Sequence, residues 1–131
     1  MIKIVIDTNV IISSALSPTG NPAKVVQLID KKDKVQFFYT EKIFAEYTRV
    51  LSYGHLKIYP EEKEYILNRV LNFGILTNPP ISTIAMPDET DRIFYDAAKA
   101  AKAILITGNL KHYPKLPFIM PPIEFITQLL I

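Results

Sequence analysis

The stretch Ile2-Lys3-Ile4-Val5-Ile6-Asp7-Thr8-Asn9-Val10 decides how the chain is read. Residues 2–6 are β-branched except for Lys3, the signature of a short, mostly buried strand. An acid, a hydroxyl and an amide follow at once. A strand apolar on both faces belongs inside a parallel sheet with helices on each side. In such sheets ligands bind beyond the carboxyl ends of the strands, which is where Asp7, Thr8 and Asn9 fall.

The same arrangement recurs downstream. Ile104-Leu105-Ile106 is all apolar and is closed by Thr107-Gly108-Asn109. Val35-Gln36-Phe37-Phe38-Tyr39 is aromatic and β-prone, and residues 117–120 offer a last strand. Helical patterns alternate with these strands. One follows Pro22 to Asp30. A second is capped by Thr40 and carries Ile43, Phe44, Tyr47, Val50 and Leu51 on one face. A third runs from Pro60 to Gly74. Asn78-Pro79-Pro80 is read as a turn before a short extended piece, and a fourth helix is expected to start at Pro87 with Asp88, Glu89 and Asp91 in its first turns. Its alanines, Ala97, Ala98, Ala100 and Ala101, allow close packing on a sheet. A terminal helix is expected from Ile123 to Leu130. Alternating strands and helices argue an α/β fold with a parallel sheet.

Composition narrows the function. The chain has 131 residues, 49% hydrophobic and 21% charged. Its mean hydropathy is +0.16. It is expected to form a single domain over residues 1–131 with a full core. There is no cysteine, which excludes disulfides, thiolate zinc sites and cysteine nucleophiles. The two histidines, His55 and His112, do not make a histidine-rich metal cage. Fifteen Lys and Arg against thirteen Asp and Glu give +2, too little to hold nucleic acid by bulk electrostatics. No apolar run reaches the ~18–20 residues of a membrane helix. The first apolar run is short and broken by Asp7, unlike a signal peptide, so the expected compartment is the cytoplasm.

Carboxylates delivered to one rim by a strand end and a helix start are hard ligands that suit magnesium or manganese. A divalent ion there offsets their mutual repulsion and promotes attack of water on a phosphodiester. Read one at a time, these acids have plain structural roles. Asp7 can cap a helix, Glu46 can be a solvated surface acid, Asp88 and Glu89 can satisfy a helix dipole, and Asp96 can pair with Arg92 or Lys99.

Their order is more specific. Ile4-Val5-Ile6-Asp7-Thr8-Asn9-Val10, Ile43-Phe44-Ala45-Glu46-Tyr47-Thr48-Arg49-Val50-Leu51, Asp91-Arg92-Ile93-Phe94-Tyr95-Asp96-Ala97-Ala98 and Ile104-Leu105-Ile106-Thr107-Gly108-Asn109 resemble, nearly end to end, a PIN domain. So does the closing Met120-Pro121-Pro122-Ile123-Glu124-Phe125-Ile126. The closest likeness is to the VapC-like toxins of toxin–antitoxin systems.

The resemblance implies a three-layer α/β/α sandwich with a central parallel sheet of about five strands. It implies a Mg2+- or Mn2+-dependent endoribonuclease. By position, Asp7, Glu46 and Asp91 match the catalytic, metal-binding acids. Thr8, Asn9, Thr107 and Asn109 would support the site by hydrogen bonds, with Asp88 an acid behind Asp91. Arg49, Lys111 and His112 are candidate contacts to the RNA backbone, as are Lys24 and Arg92, and each read alone is a solvated charge. Tyr53 and Tyr113 are candidates to stack on bases, with packing the plainer role. The implied partners are an RNA substrate, a cognate antitoxin protein and a second copy of the chain in a homodimer.

One departure stands out. Many members of the family carry an aspartate after the Thr-Gly step, and this chain has Asn109. The amide keeps an oxygen ligand and loses a charge, which weakens a second metal. It leaves open a different class of function, a nuclease-weakened fold that binds RNA or protein as a scaffold. A phosphotransfer domain of another α/β fold also places Asp after strand one. However, Asn9 stands where a haloacid-dehalogenase-like hydrolase would carry a second Asp, and no late strand-end lysine suits a receiver-like domain. No GxGxxG or Walker lysine motif supports nucleotide binding.

Overall fold

The computed structural model of the chain describes residues 1–129. Five parallel strands form one sheet: β1 (Ile2–Ile6), β2 (Val35–Tyr39), β3 (Ile75–Leu76), β4 (Ile104–Ile106) and β5 (Ile119–Met120). Their order across the sheet is β3-β2-β1-β4-β5. The chain therefore walks outward from β1 in one direction, then returns to the other side of β1. Six helices cover the sheet in a three-layer α/β/α arrangement: α1 (Thr8–Leu16), α2 (Asn21–Val26), α3 (Glu41–Leu51), α4 (Pro60–Phe73), α5 (Arg92–Ala101) and α6 (Pro122–Leu129). The expected last residue of the terminal helix, Leu130, lies outside the described residues. Among the described residues no helix is long and apolar enough to cross a membrane.

The central strands are the driest part of the molecule. Ile4, Val5 and Ile6 of β1 and Leu105 and Ile106 of β4 are 0% exposed. Each such side chain contributes about 1.5–3 kcal/mol of burial free energy. Ala97 and Ala98 are fully buried, and α5 packs on β1, β2 and β4. Helix α3 buries Ile43, Tyr47 and Leu51, one residue per turn. Its first turn is capped by Thr40, whose hydroxyl accepts the Ile43 N–H at 3.0 Å. The Tyr47 hydroxyl donates to the carbonyl of Ile6, which ties α3 to the end of β1.

Three expectations need correction. The third strand is Ile75–Leu76, before the prolines rather than after them. Residues 77–86 form no regular element and cross the molecule as a strap. The fourth helix does not start at Pro87. Asp88 caps a 3₁₀ turn at Glu89–Asp91, and the α-helix begins at Arg92. Asp96 pairs with neither Arg92 nor Lys99: its buried carboxylate accepts the Ser82 N–H, 3.3 Å from both oxygens. Arg92 instead reaches the carbonyls of Ser82 at 3.0 Å and Ile84 at 2.7 Å, and pairs with Glu89. Together these bonds pin the strap to α5 and set the position of the 3₁₀ turn. The apolar run after Asn9 forms the helix α1.

Gly74 makes the turn from α4 into β3 at close quarters. A Cβ there would stand 2.5 Å from the Val70 carbonyl oxygen and 2.7 Å from the Tyr39 ring. The carbonyl belongs to the helix and cannot yield without unwinding it. Gly74→Ala is therefore expected to lower stability by about 1–3 kcal/mol in urea unfolding, against near neutrality for an alanine at the open Gly54.

Candidate functional site

The order of the strands reverses between β1 and β4, so a crevice opens at their carboxyl ends. Asp7 leaves β1 at this crevice and Thr107 leaves β4 beside it. The Asp7 backbone N–H donates to Ile106 at 2.9 Å, and the Thr107 N–H to Met120 at 3.0 Å, so both residues extend the ladder by one step. Asp7 is only 3% exposed. Its Oδ2 accepts from the Thr107 hydroxyl at 2.8 Å, the Tyr113 hydroxyl at 2.8 Å and the Asn9 amide at 3.4 Å. Oδ1 accepts none of these three bonds. Burial raises the Asp7 pKa, and the hydrogen bonds from Tyr113 and Thr107 pull it back only in part.

Asn9 and Thr107 hold the rim together. Thr107 is fully buried, and its hydroxyl accepts the Asn109 N–H at 3.0 Å while donating to Asp7. The Asn9 amide oxygen accepts the Gly108 N–H at 2.9 Å, which fastens the turn after β4 to the start of α1. Thr8 behaves differently from expectation: its hydroxyl is buried and has no hydrogen-bond partner among the described residues. Tyr113 is buried and points its hydroxyl at Asp7 rather than at solvent. Burial and the Asp7 charge hold that phenol far above its ordinary pKa, so it stays a donor.

Asp91 enters from the other side, at the junction of the 3₁₀ turn and α5. Its side chain is 13% exposed. Desolvation, then the charges of Asp7 and Asp88, push its pKa up to about 6. Two of the matched acids are thus close enough to oppose one another's ionisation. Asp88, Asp91 and His112 bring one ligand atom each to within 4.8 Å of one another, an acid-rich cluster that includes one imidazole. Asp7 and Glu46 lie outside that group. His112 Nδ1 is 2.9 Å from Asp91, and Nε2 is 2.8 Å from the Asn109 side-chain amide. Glu46, on α3 beside Tyr47, is engaged by Arg49, which also donates to the Tyr53 hydroxyl. Tyr53 stacks on His55 and lies under Arg49 rather than standing free as a base platform. Lys111 is exposed next to His112.

Residues 3–111 match the family model described as PIN domain. The chain belongs to the PIN domain family. An uncharacterized protein of Methanocaldococcus jannaschii is 33% identical to it over 117 residues, covering 82% of this chain and 71% of that one. Among solved structures, the crystal structure of PAE2754 from Pyrobaculum aerophilum superposes with a TM-score of 0.64 at 13% identity, covering 98% of this chain and 90% of that one. VapBC2 from Rickettsia felis, bound to a DNA fragment from their promoter, superposes with a TM-score of 0.56 at 18% identity. That match covers 91% of this chain and 97% of the other. At these identities the superpositions show a shared fold.

Within this PIN domain, Tyr113, the Asp91 contact of His112 and the cap at Asp88 are the site features the sequence did not disclose. The raised pKa of Asp91 has a measurable consequence. The folded value lies above the unfolded one, so the stability from its protonated form is complete below pH 4 and lost as pH rises through 6. In metal-free protein, Asp91→Asn is expected to raise stability at pH 7.5 by about 1 kcal/mol, after discounting for solvent screening. The gap should close at pH 4. Urea unfolding of both proteins at the two pH values checks this; equal stability at pH 7.5 would contradict it.

Proposed function

We propose that this PIN domain is a metal-dependent endoribonuclease, the toxin of a toxin–antitoxin pair. The observation that carries the reading is the meeting of Asp7 and Asp91, two largely buried carboxylates that repel one another, at the carboxyl ends of β1 and β4. Clustered acids of this kind are stable as anions when a divalent cation lies between them. The oxygen-rich donor set, together with the unpartnered buried hydroxyl of Thr8, fits Mg2+ or Mn2+.

Asp7 and Asp91 would hold the ion, with Glu46 reaching it from α3 directly or through water. When bound, the ion supplies a polarised phosphoryl oxygen and a water of lowered pKa. The residues of the chain supply the rest. Thr107, Tyr113 and Asn9 aim the Asp7 carboxylate, and the buried β1 and β4 keep it from drifting. Arg49 and Lys111 are exposed and would offer charge to an RNA phosphate. His112 is tied to Asp91 and Asn109, so the structure favours a place inside the site over a free backbone contact. The VapBC2 neighbour is a complex of two proteins, which supports a protein antitoxin as a partner of this chain. A cytoplasmic location and a homodimer are part of the same reading.

Asn109 favours one second reading, a nuclease-weakened scaffold that binds RNA or protein, because a carboxylate is missing where many family members carry one. Cleavage of a mixed RNA by purified wild type and Asp7→Asn separates the two. The nuclease reading expects cutting in Mg2+ or Mn2+, none in EDTA, and at least about a hundredfold loss in the variant. Equal cutting by both proteins would overturn the role of Asp7. RNA binding by wild type without cleavage in either metal would put the scaffold in front.

A further inference from the structure

A cleft of about 670 Å³ opens at the carboxyl ends of β2 and β3, to one side of the Asp7 crevice. Lys42 of α3, Leu76 of β3, Pro79 and Ile81 of the strap, and Ile93 and Asp96 of α5 line it. The two helices that wall the cleft also carry acids of the site. Glu46 lies one turn past Lys42 on α3, and Asp91 immediately precedes α5. Cleft and crevice are therefore neighbours on one rim of the sheet.

Asp96 is 7% exposed. A carboxylate that dry needs several donors, because each oxygen can accept more than one hydrogen bond. Among the described residues a single N–H, that of Ser82, serves both oxygens at 3.3 Å. Arg92, one turn earlier on α5, spends its N–H groups on Ser82, Ile84 and Glu89. Acceptor capacity is left over in the wall of an open cleft. The surroundings are apolar and accessible: Ile81 is 76% exposed and Leu76 55%. Apolar walls around a buried acceptor suit a flat group that carries N–H donors on its edge. An unstacked nucleobase is such a group. Guanine sets its N1–H and its N2 amino group side by side, two donors for two carboxylate oxygens. Adenine and cytosine offer one amino group beside a ring acceptor, and uracil turns carbonyls toward the acid.

We propose that this cleft receives a guanine base of the RNA flanking the phosphate at the crevice. Asp96 accepts from the base edge, Ile81 and Pro79 pack on its faces, and Lys42 offers charge to the backbone. Asp96 then has two duties: it holds the strap through Ser82, and it reads the base that the strap covers. The inference rests on the reading of RNA as the substrate and names the base that the substrate presents. It involves none of the acids assigned to the metal.

The test is binding without metal, so that nothing is cut. The full chain is titrated in EDTA with guanosine monophosphate and with uridine monophosphate, and backbone amide resonances are followed. The guanine nucleotide is expected to shift the amides of Thr77 and Ile81 and to bind about tenfold more tightly than the uracil nucleotide. Asp96→Asn is expected to bring the two affinities within about threefold of each other. Ile81→Ser, at an exposed position that the core does not use, is expected to weaken the guanine nucleotide about threefold with an unchanged melting temperature; it carries the comparison if Asp96→Asn loosens the strap. Equal affinities in wild type, or shifts confined to residues outside the cleft, would overturn the proposal. So would shifts of the same amides by free arginine with none from the guanine nucleotide, which would give the acid to a cationic partner. A guanine preference in a protein that cuts no RNA would support the site and count against the nuclease reading alone. Cutting of RNA by a protein without that preference would leave the nuclease and remove the site.

Discussion

A carboxylate buried at the end of the driest strand governs this structure. Asp7 follows three fully buried residues and is itself almost wholly removed from water. An ionised group in such a place costs several kcal/mol unless donors meet it. The donors come from Asn9, Thr107 and Tyr113, on three different segments. The Thr107 hydroxyl reaches only because β4 lies directly beside β1, and β4 lies there only because the chain reverses direction after β3. The strand order and the solvation of one acid are thus the same requirement stated twice.

The opposite wall is built from α5 and the strap that precedes it. Arg92 anchors the strap through two carbonyls, and Asp96 returns one bond from below. That places the 3₁₀ turn, and with it Asp88 and Asp91, against His112. Asp91 consequently feels negative charge from two sides, Asp7 and Asp88, with His112 as its main relief. The crevice is electrostatically tense: Asp91 is pressed by like charge on both sides. Asn109 in place of an acid lowers the crowding further and leaves an amide to grip the imidazole.

Much of this is legible in the sequence. β1, β2 and β4 announce themselves by apolar, β-branched or aromatic runs, and Thr40 marks the start of α3 as a cap should. What escaped reading was what depends on distant partners. β3 is two exposed residues, Ile75 and Leu76, with no pattern of its own; only pairing with Phe38 and Tyr39 makes it a strand. The start of α5 slipped from Pro87 to Arg92 because Asp88 serves a 3₁₀ turn and Arg92 is committed to the strap. Within the site, Asp7, Asn9, Asp91 and Thr107 could be placed from their positions after strands and before a helix. Tyr113 could not, because nothing local marks a tyrosine after a polar turn as the donor to an acid 106 residues earlier. The imidazole of His112 was hidden for the same reason.

That span has a consequence for synthesis. Asp7 is made 100 residues before Thr107 and 106 before Tyr113, two of its three side-chain donors. A growing chain can form β1, α1 and β2 early, yet the acid at the end of β1 lacks two of its three side-chain donors, and its neighbouring wall, until β4 and the turn after it have emerged. Contacts this far apart in sequence form late and together. The crevice therefore comes into being only once β4 and the turn that carries Tyr113 have been made. A fragment that ends before β4 carries Asp7 without the wall and without the Thr107 and Tyr113 hydroxyls that complete the crevice.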